Sequence, residues 1–171
     1  MSTSPPAGAG TLGIGDDGTF RIRFDRTLRH PLRKVWAALT DPAKFSVWMP
    51  GCRIDPYVGG AAVYDFGDEG QATGEVLAIR AAGADDPSAE LEHSWCWEGV
   101  PDSVVVWRLD PVEEGTRLQL IHREVVRDPA VEFAVGWHVI LDTLDRYVDQ
   151  RRWDDVWDEY DALASHYQRT G

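Results

Sequence analysis

The chain contains no asparagine, so it offers no N-glycosylation site. Lysine is nearly absent: Lys34 and Lys44 are the only two, and every other residue that is cationic at neutral pH is arginine. Positive charge is short overall, with 17 Lys+Arg against 29 Asp+Glu and a net charge of −12. That balance excludes a nucleic-acid binder, whose affinity comes largely from neutralising phosphates. It also excludes docking on anionic membrane surfaces. No apolar run reaches the ~18–20 residues of a bilayer span, so no membrane association is expected. The start, Met1-Ser-Thr-Ser, has neither a basic nor an apolar signal region. Cysteine is scarce too. Cys52 and Cys96 form no CxxC pair, which fits a reduced, cytoplasmic protein without a disulfide framework.

What is present suffices for one domain. A chain of 171 residues, 43% hydrophobic and 27% charged, can bury roughly 70% of its unfolded surface. Eight tryptophans are unusual for this length and point to a large core or a ring-lined cavity. Residues 1–17 are rich in Gly, Ala, Pro and Ser and read as a disordered tail. Two GxGxxG matches, Gly8–Gly13 and Gly13–Gly18, fall there. A dinucleotide loop needs a strand before it and a helix after it; here a tail precedes and a strand follows, so no nucleotide cofactor is expected.

From Phe20 apolar and polar residues alternate through Ile22 and Phe24 to Leu28, the pattern of a half-buried strand. Leu32, Val35, Trp36 and Leu39 then mark one helical face, with Trp36 its largest anchor. Asp41-Pro42 ends that helix and caps a second short one through Trp48. Short strands follow at Arg53–Tyr57, Ala62–Phe66, Gln71–Arg80, Leu91–Trp97, Ser103–Asp110 and Thr116–Glu124. Tight turns link them, so they are expected to be mostly antiparallel. Phe133, Trp137, Ile140, Leu141, Leu144 and Val148 trace a long amphipathic helix. Trp153, Val156, Trp157, Tyr160, Leu163 and Tyr167 trace a second apolar stripe. Such a stripe must be covered, by the chain itself or by a second copy in a homodimer; self-packing is the expectation.

This order is similar to that of the START-like (SRPBCC) superfamily. The segment Arg26-Thr-Leu-Arg-His-Pro-Leu-Arg-Lys-Val-Trp36-Ala-Ala-Leu-Thr-Asp-Pro42 resembles its first-helix signature. The branch most resembled is the C-terminal domain family of the activator of heat-shock protein 90 ATPase. Gly59-Gly60, Gly74-Glu-Val-Leu77, Trp95-Cys-Trp97-Glu, Gly115-Thr-Arg-Leu-Gln-Leu-Ile-His122 and Gly136-Trp137 carry it further, in order. The resemblance implies an α+β helix-grip fold: a curved antiparallel sheet, of seven strands by the present reading, wrapped around a long C-terminal helix, with two short helices after strand one. The expected organisation is a tail (1–17), a START-like domain (18–149) and an amphipathic C-terminal helical extension (150–171). Members of the superfamily include ligand carriers, polyketide cyclases and chaperone regulators. The chaperone activator has an extra N-terminal domain where this chain has a short tail, so a chaperone partner is not expected.

Tyr64, Phe66, Trp95, Trp97, Trp107 and Trp137 face inward by strand parity or helical phase, with Leu141 beyond them. They line a pocket for a small, flat, apolar ligand, or else they are plain core. His93 and His122 lie on the same inward faces and supply its polar groups, either orienting a ligand or moving protons as in a cyclase. The bland alternative is two histidines hydrogen-bonded to their neighbours. Arg26 interrupts an apolar face and is expected to pair with a carboxylate at the sheet rim. His138 and Asp142, four apart, read as a surface pair. There is no HxH, HExxH or CxxC, no catalytic triad and no converging pair of carboxylates, so no metal, cofactor or catalytic residue is assigned. A binding protein is expected before an enzyme.

Overall fold

The structure, a computed structural model, describes residues 8–14, 20–67, 70–153 and 155–170. Eight strands form one sheet: β1 (Thr11–Ile14), β2 (Phe20–Leu28), β3 (Arg53–Ile54), β4 (Ala61–Asp65), β5 (Gln71–Arg80), β6 (Ala89–Trp97), β7 (Ser103–Val112) and β8 (Gly115–Val125). Their order is β1-β2-β8-β7-β6-β5-β4-β3, with every neighbouring pair antiparallel. Helices α1 (Leu32–Thr40) and α2 (Pro42–Trp48) carry the chain from β2 to the far edge. A meander from β3 to β8 then brings it back beside β2. Turn chemistry drives the meander. At the β7–β8 turn Gly115 has φ +144°, and a Cβ there would come within 2.3 Å of the Leu28 carbonyl oxygen, so only glycine fits.

Among the described residues the sheet has eight strands, not seven. Thr11–Ile14, placed above in a disordered tail, pairs antiparallel with Phe20–Arg23. The exposed ladder of β2 offered unpaired backbone groups, and a short apolar segment nearby satisfies them. Gly13 therefore sits in a strand rather than in a phosphate-binding loop. The rest of the expected tail, 1–7 and 15–17, lies outside the described residues.

Helix α3 (Arg127–Val148) packs against the sheet, an arrangement consistent with a helix grip. Between Phe133 and Leu144 only Gly136 and Asp142 are even part-exposed. A helix buried nearly all round must have cover on both sides. One side meets the sheet; the other meets a 3-10 turn (Val156–Glu159) and helix α4 (Tyr160–Thr170). Val156, Leu163 and Tyr167 are buried there, so the C-terminal stripe packs on its own chain. Trp157, on the expected stripe, has a side chain outside the described ones. No described helix is long and apolar enough to cross a membrane.

Two expectations about α1 and α3 are corrected. Trp36 is only part-buried, while Trp48 is 2% exposed and donates its indole N–H to the Ala38 carbonyl at 2.9 Å. Trp48 is thus the large anchor between α1, α2 and Tyr147 of α3, on which it stacks at 6.3 Å. His138 is no surface residue: it is 1% exposed, because α4 closes over that side of α3. Its Nδ1 lies 2.8 Å from the Tyr167 hydroxyl, which also accepts the Gly10 N–H at 2.9 Å. Asp142 lies 3.5 Å from His138 Nε2 and 2.6 Å from Arg26, the carboxylate partner expected for that arginine. These bonds tie β1, β2, α3 and α4 together.

Candidate functional site

Strand pleating puts alternate residues on the sheet face that meets α3. Tyr64 of β4, His93 and Trp95 of β6, Trp107 of β7 and His122 of β8 all arrive there buried. Trp137 and Phe133, four apart on α3, descend onto the same place. Trp95 lies at the centre. Its ring is 5.0 Å from Trp137, 5.3 Å from His122, 5.5 Å from Tyr64 and 5.6 Å from Phe133. Tyr64 stacks on His93 at 5.5 Å, and Trp107 meets Trp137 edge-on at 5.4 Å. Phe66 and Trp97, 5.9 Å apart, are part-buried and form the rim. There Gly70 leaves room for the Trp97 ring, which a Cβ would approach to 2.7 Å.

The inward residues named from sequence are thus brought into one cluster, with Leu141 buried one helical turn past Trp137. Phe133 belongs to it as well; its i, i+4 spacing to Trp137 was visible, but its height along the sheet was not. Ser103 is the other addition, and no sequence signal marks it.

The histidines do not form a free polar pair. Trp107 donates its indole N–H to His93 Nε2 at 3.2 Å, and His93 Nδ1 donates to the Ser94 carbonyl at 3.0 Å. Trp137 donates to His122 Nδ1 at 3.0 Å, and His122 Nε2 faces the Ser103 hydroxyl at 2.7 Å. An indole nitrogen can only donate, so the histidine nitrogen it meets must be unprotonated. Each ring is therefore neutral in a fixed tautomer. Burial pushes the His93 pKa down to about 4; burial and then the nearby His93 push His122 down to about 3. Burial also drives the Tyr64 hydroxyl far above its ordinary range, so it stays protonated. At neutral pH neither histidine holds the proton a general acid would deliver.

One polar atom is left over. Trp95 is 3% exposed, yet its Nε1–H has no acceptor among the described residues. Nor do the described residues group three or more His, Cys, Asp or Glu where a metal ion could bind. Cys52 is buried and its thiol is pushed up to about 11; part-buried Cys96 is shifted upward too, by burial first. Neither is an activated thiolate.

Among solved structures, CalU16 from Micromonospora echinospora is similar at 25% identity and a TM-score of 0.74, over 95% of each chain. The protein encoded by BPP1335 from Bordetella parapertussis is similar at 23% identity and a TM-score of 0.68, over 99% of this chain and 95% of that one. DynU16, from the dynemicin biosynthetic locus, is similar at 24% identity and a TM-score of 0.63, over 75% of this chain and 47% of its own. These likenesses support the START-like fold. No match is found among curated protein sequences. Residues 29–149 match the family described as Activator of Hsp90 ATPase homolog 1-like protein. That span runs from the end of β2 through the ring cluster to the end of α3, most of the chain, and the protein belongs to this family.

Proposed function

We propose that the protein binds a small, flat, mainly apolar molecule between the sheet and α3. The observation that carries this reading is the continuity of the ring cluster. It runs from a buried floor at Trp107 and Trp137 to a part-exposed rim at Phe66 and Trp97. Aromatic walls supply affinity by area, and a few polar groups set orientation. The neutral, fully engaged histidines favour a carrier over a cyclase, since neither ring offers a proton or a free acceptor. The proposed setting is cytoplasmic and no chaperone partner is assigned; the family name alone points to one. Titration of flat aromatic and polyketide-like compounds, followed by tryptophan fluorescence, tests the reading. At least one compound should bind below ~1 mM, about −4 kcal/mol. If none does, the rings are plain core. In parallel, micromolar protein should leave the heat-shock protein 90 ATPase rate unchanged; a several-fold rise would put chaperone regulation first.

A further inference from the structure

Resting on that binding reading, the lone donor at the centre of the cluster says which chemical class fits. We infer that the ligand is an uncharged aromatic molecule bearing a hydrogen-bond acceptor, such as a ring ketone or quinone oxygen, received by the Nε1–H of Trp95.

Three observations converge. First, the Trp95 N–H is buried and unpaired, whereas the indoles of Trp48, Trp107 and Trp137 all have acceptors. Buried donors are seldom left so, because the lost hydration goes uncompensated. Second, the acceptors on the described rings around it are already engaged. His122, 5.3 Å away ring to ring, has Nδ1 occupied by Trp137 and Nε2 engaged with Ser103. Tyr64, 5.5 Å away ring to ring, has its hydroxyl engaged with the Trp107 indole; the other close rings, Phe66, Phe133, Trp97 and Trp137, carry no acceptor oxygen. A water molecule suits the place badly, since a buried water needs two to four polar partners. Third, among the described residues the cluster has no ionised group. His93 and His122 are held neutral by the indoles they accept from, and Tyr64 stays protonated. A carboxylate or phosphate would lose its hydration against rings and find no cation. A ketone oxygen accepts one hydrogen bond and carries no charge, so it satisfies the donor without that cost.

Three probes of one shape separate the possibilities: fluorene, 9-fluorenone and fluorene-9-carboxylate. Affinity is measured by calorimetry, and the indole N–H signals by proton–nitrogen NMR with the Trp95 signal assigned. Fluorenone is expected to bind ~10-fold tighter than fluorene, the step set by about 1.4 kcal/mol, and to move the Trp95 N–H signal downfield. Trp95→Phe keeps a ring but removes the donor; whatever it does to the affinity for both compounds, it should abolish the preference for fluorenone over fluorene, as expected for loss of one hydrogen bond. Equal binding of fluorene and fluorenone, or tightest binding of the carboxylate, would overturn the inference and leave the binding reading intact. Failure of all three probes to bind takes down both. Should Trp95→Phe not fold, the wild-type titration decides: a Trp95 N–H signal that fluorenone leaves unmoved refutes the assignment.

Discussion

Acid should unfold this protein unusually early, and the reason lies in three buried histidines. His93, His122 and His138 are each no more than 1% exposed. Burial is the main cause of depressed pKa values of about 4, about 3 and about 4, against an ordinary 6.5. The folded state therefore binds fewer protons than the unfolded chain throughout the interval between those values. Stability is full above pH ~6.5 and is lost as pH falls toward the folded-state values. At pH 5 each histidine withdraws about 2 kcal/mol, and together they withdraw on the order of 6 kcal/mol, a large share of a typical 5–15 kcal/mol. Three paired aspartates stay out of this window. Asp25, Asp55 and Asp86 are shifted downward from 3.8, so what they contribute begins to fade only near pH ~4. Urea unfolding at pH 7.5, 6.0 and 5.0 measures the effect. Replacing His122 by Gln should cut the loss between pH 7.5 and 5.0 by about 2 kcal/mol, the share of one histidine. Equal stability at pH 7.5 and pH 5.0 would refute the reasoning, because it requires histidines that protonate freely in the folded state.

The same assay ranks the tryptophans of the first two helices: Trp48→Ala should cost about 3–5 kcal/mol as a cavity in a full core, whereas part-buried Trp36→Ala should cost no more than about 2 kcal/mol. The reverse order would mean that α1 and not α2 anchors this corner. Tyr167→Phe strips the shared oxygen from the Gly10 N–H and from His138 Nδ1, and should cost about 1–3 kcal/mol; an unchanged urea midpoint would show that β1 and α4 are not coupled through it. A chain ending at Gln150 uncovers the α3 face under Val156, Leu163 and Tyr167, and sedimentation should show aggregation. A clean change from dimer to monomer would instead make that stripe a subunit contact.

Local pattern alone determined a good deal. Alternation from Phe20 to Leu28 marked β2, Gln71–Arg80 was delimited as observed, and Asp41 caps α2 through the Ala43 N–H at 3.0 Å. These follow from periodicity and cap chemistry, which act over a few residues. Strand parity likewise pointed Tyr64, Trp95, Trp107 and His122 inward, since the pleat has a period of two. Tertiary structure decided the rest. Thr11–Ile14 has little intrinsic reason to be a strand; the open edge of β2 makes it one. His138 sits on a polar flank of its helix wheel, and only the return of α4 buries it. Trp36 and Trp48 look alike in sequence, and which is buried depends on how α2 folds back toward α3. The site shows the same division. Which side chains face inward could be read along the strands. Which nitrogen pairs with which indole, and that among the buried, described indoles Trp95 is the one left with a bare N–H, depends on angles and heights across four strands and a helix. Hydrogen bonds are short-ranged and directional, so no one-dimensional pattern encodes them.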